Sequence, residues 1–168
     1  MRNGLLLGTI LSGLIATALQ PTPMAAATPT LTGSWQFTLT PATSSMPVQV
    51  PGLVTFTADG SVIETDGTEF VPSTVTTTPP LAAAASPGHG IWEPAPVPGA
   101  FYVQYFSLVF ESTGALYAKN VTTMMVTPNS TGNQFTGTYS TDQIIGSVTK
   151  VLATGSVTGQ LIPHQPLP

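Results

Sequence analysis

From Leu31 onward apolar and polar residues alternate at every step. Leu31, Gly33, Trp35, Phe37 and Leu39 fall on one side, and Thr32, Ser34, Gln36, Thr38 and Thr40 on the other. A period of two is that of a strand with one buried face, because successive side chains point to opposite faces of a sheet. The period returns in Leu53–Ala58 and Ser61–Asp66, which flank Asp59-Gly60, a pair suited to a tight hairpin turn with positive φ. Phe101–Glu111 is apolar on both faces, with Phe101, Val103, Tyr105 and Val109 set against Tyr102, Phe106, Leu108 and Phe110. One of these faces has to be covered by a loop or a partner, or stand as an exposed patch. Thr113-Gly114 turns the chain into a strand over Ala115–Val126. Pro128–Asn133 turns it again before Gln134–Thr141 and the long strand Ser147–Ile162, whose Gly155 and Gly159 permit sharp coiling.

Two stretches break the pattern. Pro41–Gly52, interrupted by Pro41, Pro47 and Pro51, reads as a long loop. Val71–Gly90, rich in Pro, Thr and Ala, reads as an extended surface loop in which prolines confine Ala82–Ala85 to one helical turn at most. Gly90–Glu93 starts a strand and Pro94–Gly99 turns the chain. Eight or nine strands joined mostly by short turns, with no convincing helix, predict an all-β fold: a single antiparallel up-and-down β-barrel of about eight strands. A β-sandwich is the alternative. No internal repeat is visible, which argues against a propeller or solenoid.

Ahead of the strands, Arg2 precedes an apolar run from Gly4 to Leu19. Pro21 and Pro23 end it, and Ala25-Ala26-Ala27 supplies small residues for a signal-peptidase site. The run falls short of the roughly 20 residues of a spanning helix, and no basic cluster follows it. The expected organisation is a signal peptide over 1–27, a β-barrel domain over 28–162 and a tail over 163–168. The expected location is extracellular or periplasmic, with no transmembrane segment in the mature chain.

Only 6% of the 168 residues are charged while 42% are hydrophobic. Disordered chains have the reverse balance, so the composition fits a folded domain whose polar load is carried by Thr, Ser, Asn and Gln. After Arg2 the only Lys or Arg residues are Lys119 and Lys150. That excludes nucleic acid as a partner, since phosphate binding needs clustered Lys or Arg. The chain has no cysteine, so thiol catalysis and thiolate metal sites are excluded, and no cofactor is expected. Low charge weakens repulsion between copies, which makes a homo-oligomer a reasonable expectation.

No pattern amounts to a catalytic signature. His89 lies four residues before Glu93 on one strand face, a separation of about 13 Å that forbids direct contact, and no G-x-S-x-G elbow is present. A turn or strand-edge role suits His89 better. Glu111 ends the most apolar strand. Facing inward it would be a buried acid with a raised pKa; otherwise it marks where the strand emerges into water. Glu64, Asp66 and Glu69 cluster near a hairpin, where a calcium ion is one reading and a solvated turn at Asp66-Gly67 the better one. Asn120-Val121-Thr122 and Asn129-Ser130-Thr131 match the N-glycosylation pattern. The aromatic set supplies the candidates for a small apolar ligand: Trp35, Phe37, Phe56, Trp92, Tyr105, Phe135 and Tyr139. Core packing is the competing role for these residues. Gly137 between Phe135 and Tyr139, and Gly155 and Gly159 in the last strand, lean toward interior space.

Gly33-Ser34-Trp35 at the head of the first strand resembles the G-x-W motif that opens lipocalins and their calycin relatives. The stretches Thr55–Gly60, Gly88–Trp92 and Phe135–Gly137 look like those of short secreted bacterial lipocalin-like proteins. The resemblance implies a barrel with Trp35 packed across its closed end and a long loop after the first strand. It implies two functional expectations, binding of a small apolar ligand or a cofactor-free cyclase or isomerase of the allene-oxide-cyclase-like type. The apolar outer face of Phe101–Glu111 gives a third, a structural domain that self-associates.

Overall fold

The structure, a computed structural model, describes residues 30–42, 49–69 and 84–163. The expected signal segment and the last five residues of the tail lie outside the described residues, as do residue 70 and residues 43–48 and 71–83 of the two expected loops. The strands are β1 (Gly33–Pro41), β2 (Val50–Phe56), β3 (Ser61–Asp66), β4 (Ala84–Ala85), β5 (Gly88–Pro94), β6 (Phe101–Phe110), β7 (Leu116–Pro128), β8 (Gln134–Ile145) and β9 (Val148–Leu161).

All pairings are antiparallel. β1, β2, β3, β5, β6, β7, β8 and β9 neighbour one another in chain order, and β9 returns to pair with β1. The sheet therefore closes into an eight-stranded up-and-down barrel, with β4 as one extra strand on β6. Closure removes the unpaired edges that an open meander would leave. A sandwich would need two facing sheets, whereas here one sheet closes on itself.

Two expected loops are shorter than the prolines suggested. β2 begins at Val50 and includes Pro51, whose carbonyl accepts from Gly67 N at 3.0 Å. Ala84–Ala85 is a strand rather than loop or helical turn, paired with Phe110 and Val109. β4 and β5 lie along the same neighbour with a one-residue offset across Ser86-Pro87. Pro87 has no N–H to give the ladder, and Ser86 repairs it from both sides. Its N–H donates to Leu108 O at 2.8 Å, and its hydroxyl accepts from Leu108 N at 2.9 Å. Tertiary pairing overrides local composition here.

The Asp59-Gly60 turn forms where expected but with a different geometry. Gly60 alone has positive φ, at 88°, and no non-glycine residue does. Gly60 N donates to Thr57 O at 3.2 Å and Thr57 N to Ser61 O at 3.0 Å. That is a three-residue loop closed by a glycine bulge rather than a two-residue turn. Asp59 accepts from the Thr57 hydroxyl and from Ser61 N, and the Thr57 bond in particular holds its carboxyl below the usual range.

Register places one set of alternate residues inside. Trp35, Val54, Glu64 and Gly88 are successive partners across β1, β2, β3 and β5, and Val103, Met124, Tyr139 and Gly155 do the same across β6 to β9. At the end where β1 begins the interior is solid. Leu31 and Trp35 are fully buried, the Trp35 ring lies 5.1 Å from that of Phe135, and Trp35 Nε1 donates to Leu31 O at 2.7 Å. Phe56, Trp92 and Phe101 continue the packing edge to face.

The inward glycines do not leave room. The Phe37 ring occupies the space beside Gly52 and the Phe135 ring that beside Gly159. At Gly137 and Gly155 a neighbouring backbone carbonyl comes too close for any side chain. They admit aromatic rings and strand coiling instead. On β6 the outward apolar residues remain partly in water, with Phe106 47% exposed and Lys119 Nζ 5.8 Å above its ring. Among the described residues no helix is long and apolar enough to cross a membrane.

Candidate functional site

The far end of the barrel, where β3 finishes and β5 begins, has a different chemistry. Alternation along β3 turns Val62, Glu64 and Asp66 inward, because the Thr57–Ser61 turn sets Val62 opposite the buried Phe56. Glu64 is only 4% exposed. It fits because its partner on β5 is Gly88. A β-carbon there would stand 2.6 Å from Glu64 Oε2 and 2.6 Å from the Tyr105 ring. Tyr105 on β6 and Tyr139 on β8 are both buried, as is Thr122 on β7, whose hydroxyl lies 2.9 Å from that of Thr141.

Asp66 opens the turn after β3 and accepts from Thr68 N at 2.7 Å and from the Thr68 hydroxyl. Glu69 closes that turn with 8% of its surface exposed, and its Oε1 accepts from Asp66 N at 3.3 Å. The turn expected at Asp66-Gly67 forms with Gly67 and Thr68 in water, while the carboxyls of Glu64 and Glu69 on either side of it are buried. The three do not converge as a metal site, and no group of three or more His, Cys, Asp or Glu side chains among the described residues does.

Burial, followed by the charges of Asp66 and Glu69, pushes the Glu64 carboxyl up to about 9. Burial and the charges of Glu64 and Asp66 raise Tyr105 as well, and burial with Asp66 raises Tyr139. Asp66 is thus felt by Glu64, Tyr105 and Tyr139 together. Glu64 Oε1 is buried and has no hydrogen-bond partner among the described residues. Removing a carboxyl oxygen from water without a partner costs about 1–3 kcal/mol, so such an atom asks for an explanation.

Of the ligand candidates read from sequence, all seven face inward or pack against the core. All but one divide between the two ends. Phe37 lies between the ends, its ring over Gly52, the register partner of Asp66, while Trp35, Phe56 and Phe135 fill the solid end. Trp92 joins them, donating from Nε1 to Thr57 O at 2.9 Å. Only Tyr105 and Tyr139 stand by the polar groups. Glu111 follows β6 in a turn, its N–H bonded to Ala115 O and its carboxyl accepting from the Thr113 hydroxyl. His89 and Glu93 point outward from β5 into water. The inward acid is Glu64.

Along the described residues, three of the surface depressions lie outside the barrel. One of about 610 Å³ sits at the solid end between the Asp59-Gly60 turn and the Pro94–Gly99 loop, against Trp92 and Phe101. Two of about 440 and 490 Å³ follow the outside of β9, lined mainly by Gln, Thr and Ser of β1, β8 and β9. None of the three holds a buried polar atom in need of a partner.

Fold and site together define a closed antiparallel barrel, solid and aromatic at one end and acidic at the other. No protein-family model matches the chain, and neither a search of curated proteins nor one of solved structures finds a match.

Proposed function

We propose that the chain is exported and that its mature barrel, related in build to lipocalin-like carriers, binds a small and mostly apolar molecule at the acidic end of its interior. The convergence of Glu64, Tyr105, Thr122 and Tyr139 on one end of an otherwise apolar interior carries this reading. A few polar groups placed against apolar walls, one of them with a strongly shifted pKa, are what a small-molecule site is made of. An eight-stranded barrel is wide enough for one small ligand. The solid end supplies rigidity and the acidic end the anchors.

The test uses the exported chain, expected to begin at Thr28. An environment-sensitive apolar dye should bind it saturably at one site per chain. Tyr139→Ala should change the dissociation constant at least fivefold while Tyr139→Phe leaves it close to the wild-type value. Binding that never saturates, or that ignores Tyr139→Ala, would sink the reading.

A second reading, self-association, has its own observation. β9 pairs with β1 only from Gly155 onward, so its Val148–Ala153 portion has a partner on the β8 side alone among the described residues. Val148, Val151 and Leu152 there are 65%, 59% and 52% exposed. An apolar edge of this kind is a template for another strand. Light scattering behind size exclusion should find a dimer that Val151→Lys converts to monomer. A wild-type protein that is monomeric at about 100 µM, where a pair of micromolar Kd would be mostly dimeric, would remove this reading.

A further inference from the structure

The hydrogen-bond inventory at the acidic end says more about the ligand than its apolar walls do. Glu64 Oε1 lacks a donor, and the groups around it do not supply one. Asp66 on β3 and Glu69 in the turn are carboxyls, Val54 on β2 and Gly88 on β5 offer no polar side-chain atom, and the hydroxyls of Tyr105, Thr122 and Tyr139 make no bond to this oxygen. Even when Glu64 is protonated and its hydroxyl turns to Asp66, the remaining oxygen is an acceptor. The site needs donors.

It also needs positive charge. Glu64, Asp66 and Glu69 lie close enough for their charges to act on one another, while the two described lysines are elsewhere. Lys119 stands outside over Phe106 and Lys150 is exposed at the β8–β9 tip. His89 also faces out. No cationic side chain among the described residues balances these carboxyls, which leaves the charge to a proton or a bound cation.

Resting on the ligand-binding reading above, we propose that the acidic end takes a small organic cation bearing a protonated amine. Its N–H groups would bond to Glu64 and Asp66, and its apolar part would lie against Tyr105 and Tyr139. An ammonium brings both missing things at once, donors and charge, and tyrosine faces attract a cation within about 6 Å of the ring. A metal ion is the poorer fit because the three carboxyls do not converge on one point. A carboxylate ligand would add a fourth negative charge. The partly exposed Asp66 and Thr141 mark the side from which the ligand arrives. Glu64 Oε1 is reached by rotation about its terminal torsion, a soft one for glutamate.

A matched six-carbon series tests this on the mature chain by calorimetry at pH 7: hexylamine, hexanol and hexanoate. Hexylamine should bind at least tenfold tighter than hexanol, and hexanoate more weakly than hexanol. Glu64→Gln should abolish the preference for hexylamine over hexanol. The affinity for hexylamine should rise from pH 6 to pH 8.5, because a bound cation favours loss of the Glu64 proton. Hexanol binding with no preference for the amine, or a preference that survives Glu64→Gln, overturns the cation inference and leaves the ligand-binding reading standing. Binding of none of the three removes both. Calcium chloride alone should not move the thermal midpoint, and a saturable rise would assign the carboxyls to a metal ion instead.

Discussion

Raising the pH from 5 to 8 should lower the stability of this barrel by about 3 kcal/mol, and Glu64→Gln should abolish most of the loss. The sign follows from burial. In the unfolded chain Glu64 titrates near 4.5, while in the barrel its carboxyl is pushed up to about 9 by burial and by Asp66 and Glu69. Between those values the folded protein holds a proton that the unfolded chain has given up, so each pH unit costs up to about 1.4 kcal/mol. The contribution is complete below about pH 4.5 and is lost as pH rises through 9. The titratable groups facing Glu64 are Asp66, Glu69, Tyr105 and Tyr139, and the tyrosines, both raised, stay neutral through this window. Glutamine keeps the shape and removes the proton. Glu64→Gln should therefore melt above the wild type at pH 8 and close to it at pH 4.5. A wild-type stability that is flat or rising from pH 5 to 8 in urea titrations would show that Glu64 is ionised in the folded protein.

The importance of Glu64 was present in the sequence but hidden by a near tie. In Ser61–Asp66 each face carries one aliphatic residue, Ile63 on one and Val62 on the other, so periodicity alone does not say which points inward. The deciding information is the register across the Asp59-Gly60 turn. Phe56 pairs with Val62, and an inward Phe56 forces Val62, Glu64 and Asp66 inside. Reading the strand with its hairpin partner, instead of alone, would have found the acid. Glu111 drew attention because it ends an apolar strand, yet strand ends at this side of the barrel emerge into turns.

The barrel itself was legible for a plainer reason. Period-two alternation in β1, β2 and β8, and turn residues at Gly60, Gly114 and Gly132, agree with one another, and all three glycines take positive φ. Where the reading failed, local composition pointed against a pairing decided at long range. Pro51 and the alanines of β4 look like loop, but β3 and β6 pair with their neighbourhood in the ladder. The inward glycines misled in the same way. A sequence shows a missing side chain but not the ring or carbonyl that takes its place.

Trp35 offers the second large effect, because three separate contributions meet in one side chain. It is fully buried at the solid end, packs on Phe135 at 5.1 Å and donates from Nε1 to Leu31 O at 2.7 Å. Truncation to alanine removes the buried ring at about 3–5 kcal/mol and strands the Leu31 carbonyl at about 1–3 kcal/mol more. Against the roughly 5–15 kcal/mol that holds a domain together, the sum brings the barrel to the edge of unfolding at room temperature. Trp35→Phe separates the contributions. It keeps most of the apolar area and loses the donor, so it should cost about 1–3 kcal/mol and fold normally. Trp35 shares a register row with Glu64, but its ring contacts Leu31 and Phe135. Neither it nor they are among the groups that shift Glu64, so Trp35→Phe should leave the pH dependence of stability intact. That makes urea titration of the two tryptophan variants at pH 5 and pH 8 the decisive measurement. If Trp35→Ala costs no more than Trp35→Phe, the end where β1 begins is not the rigid base of the barrel, and the division into a solid end and a responsive one would have to be abandoned.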